Sequence, residues 1–194
     1  MTLLFDIETD GLLLTVSKFW VGVTYCKETK KEEVYYDAKE LVEALNKADT
    51  IVGHNIIGYD IPALEKLTGL KVTSNVVDTL VLAKLVYYDV DKSWSHSLDA
   101  YGERLGEKKG SYNDWSRYTK EMEEYCKQDV KVTAKLYTHL KRKAVWLPET
   151  ALQLEQNVQK IVTQQYITGW KIDEKKAREL HILLVQEKER ADRS

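Results

Sequence analysis

The sequence predicts an α/β fold, a mixed sheet that opens with an antiparallel meander and is flanked by helices, followed by a C-terminal helical extension. Three β-rich segments come first, at about residues 2–8, 18–26 and 31–37, and strand and helix patterns then alternate to about residue 143. Beyond the Trp146, Leu147, Pro148, Glu149 break only helical periodicity remains.

The elements follow in order. Met1 to Ile7 is an apolar run that stops at the turn-like Thr9, Asp10, Gly11. Lys18 to Cys26 alternates with the period of two of a half-buried strand, and KETKKEE reads as a solvated hairpin tip before the third strand. A helix is predicted over 37–47, with Ala38, Leu41, Val42 and Leu45 on one stripe. A strand at 49–53 leads to a short turn holding Asn55 and Gly58, then to a helix from Asp60 or Ile61 to Thr68 and a strand over 72–77. Asp78 reads as the N-cap of the helix TLVLAKL rather than as a ligand, and Ser97 as the cap of LDAYGERL. A long helix is expected over 115–143, and two more over about 150–168 and 173–191.

Composition bounds the reading. At 194 residues and 43% hydrophobic the chain suits one α/β domain with an extension, partitioned as 1–145 and 146–194. A net charge of −2 lacks the broad basic footprint of a non-specific nucleic-acid binder. Lys108 and Lys109, in a glycine-bounded loop, are the lysines expected to meet phosphate. Cys26 and Cys126 are unpaired by pattern and read as free thiols. No basic leader precedes the short apolar start and no stretch approaches a membrane span, so a cytoplasmic, intracellular protein is expected.

Four acidic residues in distinctive contexts carry the chemistry: Asp6 and Glu8 in LLFDIETDGL, Asp60 in GHNIIGYD, and Asp129 in EYCKQDV. On a strand Asp6 and Glu8 share a face, about 7 Å apart. Two such carboxylates inside a fold repel and lose solvation unless a cation lies between them. Tyr125 and Asp129 lie one turn apart on a helix face. An all-oxygen donor set, with no Cys or His cluster at metal spacing, favours Mg or Mn over Zn. His54 and His96 read as structural or substrate-positioning, and the five tryptophans mostly as packing.

Asp6, Glu8, Asp60 and Asp129 with Tyr125 resemble the DEDDy class of 3′–5′ exonucleases, named for four acidic residues and a tyrosine. HNIIGYDIPALEKL, VVDTLVLAKLV, SHSLDAYGERLGEKKGSY and YCKQDVKVTAKL resemble the proofreading domain of bacteriophage-type family A DNA polymerases, from residue 3 to about 143. The segment from Leu154 to Leu184 resembles, more weakly, the approach to the polymerase thumb, and Asn55 stands one residue further from Asp60 than in the bacterial polymerase I pattern. The resemblance implies a ribonuclease H-like fold and removal of deoxynucleoside monophosphates from DNA 3′ ends in replication. It also implies two divalent ions, one activating water at Asp6, Glu8 and Asp129, the other stabilising the leaving oxygen between Asp6 and Asp60. Tyr125 would orient the water, and Thr9, Leu12 and Asn55 would hold the last nucleotides. The implied partners are a single-stranded DNA 3′ end and a polymerase module in cis or in trans. A related ribonuclease acting on RNA 3′ ends and a non-catalytic DNA- or polymerase-binding scaffold are the alternatives.

Overall fold

The strand β1 (Thr2–Thr9) lies at the centre of a five-stranded sheet and carries Asp6 and Glu8. On one side it pairs antiparallel with β2 (Phe19–Cys26), which pairs antiparallel with β3 (Glu32–Tyr35). On the other it pairs parallel with β4 (Thr50–Gly53), which pairs parallel with β5 (Asn75–Asp78). This is the expected mixed sheet with its meander, seen in a computed structural model that describes residues 1–91 and 93–193. The chain divides into two compact units, Met1–Thr163 and Gln164–Ser194.

Alternation along β1 decides what each face does. Leu3, Phe5 and Ile7 point into a core with Leu41, Val42, Leu45 and Leu64, contributed by α1 (Ala38–Asn46) and α2 (Asp60–Thr68). Leu4 points the other way, into a second core with Val21, Val23, Cys126, Val130 and Leu136. Burying each of these large side chains contributes about 1.5–3 kcal/mol. Asp6 and Glu8 continue the Leu4 face, and so lie toward α5 (Lys120–Lys143), the long helix that carries Cys126 and Val130.

Caps fix the element ends. Asp37 leaves β3 to accept hydrogen bonds from the backbone N–H groups of Lys39 and Glu40, so the strand is shorter than the expected 31–37. Asp78 caps α3 (Thr79–Val86) and Ser97 caps α4 (Leu98–Leu105), both as expected. The long helix begins at Lys120 rather than at 115, because the Thr119 side chain accepts from the Met122 N–H and terminates the helix there. Residues 115–118 are therefore loop, and Trp115 is not bound to a helical face. A short 3-10 turn at Ala144–Trp146 leads to α6 (Glu149–Thr168), and α7 (Glu174–Asp192) follows in the second unit. The first part of α6 joins the first unit, where the Gln156 side chain accepts from the Asp78 N–H. Trp146 and Trp170 are 59% and 80% exposed, so neither packs in a core among the described residues. Among the described residues no helix is long and apolar enough to cross a membrane.

Candidate active site

The sheet brings the C-terminal ends of β1, β4 and β5 to one edge, and the acidic residues meet there. Side-chain ligand atoms of Asp6, Glu8 and Cys126 lie within 4.8 Å of one another, so the same-face reading of Asp6 and Glu8 holds. Asp129 projects from α5, buried, into this group, and Asp60 opens α2 as its first helical residue, also buried. Asp60 does not cap α2 with its side chain, since Tyr59 stands at the N-cap position and makes no side-chain cap bond.

Crowding of these acids raises their proton affinity. Burial pushes the Asp6 carboxyl well above the usual carboxylate range, and the charges of Asp129, Asp60 and Glu8 push it further. Burial likewise lifts Glu8 to about 7, Asp60 to about 8 and Asp129 to about 6. Two contacts resist this. The Trp115 indole N–H donates to Glu8 Oε2 at 3.1 Å, and the Lys109 ammonium lies 2.6 Å from Asp129 Oδ2. Asp129 Oδ1 is buried with no hydrogen-bond partner among the described residues. The Cys126 thiol, kept protonated by burial, donates to the Asp6 carbonyl at 3.4 Å and reaches its Oδ2 at 3.6 Å.

Tyr125 stands one turn before Asp129 with its ring 4.8 Å from Lys109 Nζ, and burial raises its hydroxyl above the usual range. Thr9, buried, meets the Tyr59 hydroxyl, and both hydroxyls donate to the Gly11 carbonyl. That contact shapes the floor of a cleft of about 390 Å³ lined by Glu8, Thr9, Leu12, Tyr59 and Trp115, in which Leu12 is 73% exposed. A second cleft of about 490 Å³ is bordered by Asp6, His54, Asn55, His96, Lys109 and Asp129. The geometry thus groups Asp6, Glu8, Asp60, Tyr125 and Asp129, with Thr9 and Leu12 on one side and Asn55 on the other.

Asp78 does more than cap. Its carboxylate accepts from the N–H groups of Leu80 (2.9 Å), Asn55 (2.9 Å) and Ile57 (3.0 Å), and so fixes the turn that follows β4. Asn55 takes a left-handed φ of 65° in that turn, a conformation Asn tolerates better than most residues. His54 is tied to the scaffold at the border of the cleft. Its Nδ1–H donates to Thr79 Oγ1 at 2.9 Å, because the Thr79 hydroxyl itself donates to the Gly53 carbonyl, and burial holds the imidazole neutral with its pKa down at about 4. The Lys109 ammonium, expected to meet phosphate, is paired with Asp129. Trp115 and Tyr59 are site residues that the sequence did not reveal, whereas Lys109 is one of the two lysines it singled out. Only the Gly-bounded loop around Lys109 gave any local signal.

Comparison with known proteins agrees with this geometry. A family profile described as 3′–5′ exonuclease matches residues 3–144. The DNA-directed DNA polymerase of Escherichia phage T7 is 30% identical over 92% of this chain and 34% of its own length, so the chain spans about a third of that relative. Among solved structures, Brucella melitensis NrnC with bound Mg2+ superposes with a TM-score of 0.68 at 20% identity, over 87% of this chain and 86% of that one. Escherichia coli RNase D, an exoribonuclease involved in structured RNA processing, gives 0.57 at 20% identity, over 82% and 45%. These likenesses show the expected ribonuclease H-like fold. With the profile covering most of its length, the chain belongs to the 3′–5′ exonuclease family of A-type DNA polymerases.

Proposed function

We propose that this chain removes deoxynucleoside monophosphates one at a time from DNA 3′ ends, as the proofreading partner of a polymerase module in cis or in trans. Residues 1–145 form the exonuclease module, and 146–194 the helical lead toward that polymerase. The observation that carries the reading is the meeting of four carboxylates, three of them buried, at one sheet edge, matched by a single ammonium among the described residues.

The donor set fits divalent cations. Asp129 Oδ1 is a buried acceptor without a donor, and every charged ligand is a carboxylate oxygen, which suits Mg2+ or Mn2+. Cys126, which lies beside Asp6 and Glu8, is left out of this set because its buried thiol donates to the Asp6 carbonyl and hard divalent ions prefer oxygen. Asp6, Glu8 and Asp129 would hold one ion, and Asp6 with Asp60 the other. Bound there, the ions lower the pKa of water and neutralise charge that develops on the phosphoryl group. The remaining work belongs to the chain. Tyr125, whose raised pKa makes it a poor base, orients the attacking water through its hydroxyl. Leu12 and Thr9 receive the terminal nucleotide in the cleft beside Glu8, and Asn55 flanks the strand from the other side. Water adds across the terminal P–O3′ bond, giving a 5′-monophosphate and a new 3′ hydroxyl. Selection for mismatches follows from fraying, since a mismatched end more readily reaches a site for unpaired bases.

Incubation of 5′-labelled single-stranded DNA with Mg2+ tests this. A ladder shortening from the 3′ end, abolished by chelator and faster on mismatched than on paired termini, is expected. Digestion from the 5′ end, persistence in chelator, or preference for RNA of the same sequence overturns it.

A further inference from the structure

Lys109 is the only ammonium within ion-pair distance of any of the four carboxylates among the described residues. It is held there by its loop. The Gln128 side chain donates to the Lys108 carbonyl at 2.8 Å and to Glu107 Oε1 at 3.0 Å. On the other side the loop presses on α4 at Gly102, where an added Cβ would stand 2.6 Å from the Glu107 carbonyl oxygen and 3.2 Å from the Lys109 nitrogen. The Lys109 side chain is 22% exposed, and its Nζ lies over the Tyr125 ring. A buried acidic cluster without cations is unfavourable, and a cation bound to one of its members offsets part of that cost.

We propose that Lys109 is a tethered stand-in cation: it occupies Asp129 in the metal-free protein and must yield that carboxylate when a divalent ion binds. The inference rests on the reading of Asp6, Glu8, Asp60 and Asp129 as a divalent-cation site. Ammonium and metal compete for the same oxygen atoms, so Lys109 stabilises the protein without metal and weakens its affinity for metal, two effects that thermodynamic linkage makes reciprocal. Once displaced, the ammonium still borders the cleft beside His54 and Asn55.

The test is Mn2+ titration by calorimetry together with thermal melting in EDTA, for the wild type, Lys109→Gln and Lys109→Arg. Lys109→Gln is expected to bind Mn2+ more tightly, by a factor on the order of 10, while melting at a lower temperature in EDTA. Lys109→Arg keeps the charge and should gain no Mn2+ affinity. Equal or weaker Mn2+ binding by a folded Lys109→Gln, with the wild type binding normally, overturns the proposal and leaves the metal site standing. A wild type that binds no Mn2+ overturns both. Should Lys109→Gln not fold, amine-reactive labelling of the wild type read by peptide mass spectrometry decides: Lys109 is expected to be protected in EDTA and labelled once Mg2+ is added, and equal labelling in both overturns the proposal.

Discussion

Glu8 shows how single contacts tune this site. Its carboxylate is lifted by burial and held down by the Trp115 N–H, a hydrogen bond that favours the charged form. Trp115→Phe keeps an aromatic wall in the cleft and removes the donor. Glu8 in the metal-free protein should then titrate higher than its present value of about 7, as read by carboxyl NMR; an unchanged midpoint would mean the bond has no hold on the charge. Asp6 and Tyr125 form the second residue-scale contrast. Asp6→Ala removes the carboxylate shared by both proposed ion positions and should cost about 10³-fold or more in rate with folding intact. Tyr125→Phe keeps the ring beside Lys109 and loses one hydroxyl, so about 10 to 100-fold is expected. Single-turnover rates on single-stranded DNA check the ordering, and equal losses would assign the tyrosine a larger part than orienting water.

At the scale of elements, the junction of β5 with α3 holds one wall of the site. Asp78 satisfies three N–H groups from two segments distant in sequence, while its own N–H is taken by Gln156. Asp78→Ala strands buried donors at Ile57 and Leu80 together and should cost about 2–4 kcal/mol, measured by urea denaturation. Because the same carboxylate fixes the turn of Asn55, weaker binding of a single-stranded 3′ end is expected even where Asp78→Ala remains folded. A loss below about 0.5 kcal/mol, the scale of a surface change, would show that the turn holds itself.

For the whole molecule, the raised carboxyls set a pH dependence. The folded metal-free state binds more protons than the unfolded chain wherever Glu8, Asp60 and Asp129, at about 7, 8 and 6, are still protonated and their unfolded counterparts, near 4, are not. Their contribution is therefore complete below pH ~4 and is lost as pH rises through the folded values. His54 acts in the opposite direction, but only below its ordinary value of about 6.5. Melting temperature in EDTA should consequently fall between pH ~6.5 and ~8.5, and saturating Mg2+ should flatten the fall by replacing the protons. A melting temperature that rises over this interval in EDTA would contradict the assigned crowding.

Local sequence determined much of this protein. The meander, the capping residues Asp78 and Ser97, and the placement of Asp6 with Glu8 on one face all follow from short-range rules of alternation and hydrogen bonding. Those rules also put Tyr125 and Asp129 on one turn of a helix. They reach less far where one side-chain bond decides the end of an element, or where the partner lies in a distant segment. The start of the long helix was misplaced because helical periodicity runs through Trp115, and the Thr119 cap that stops it is a single side-chain bond. Only the tertiary structure, by freeing that tryptophan as loop, brings its indole to Glu8. It likewise pairs Lys109 with Asp129, and extends Asp78 from cap to anchor of the Asn55 turn. Each of these depends on which surfaces pack together, and a charge or donor is drawn to whichever buried partner the packing leaves unsatisfied.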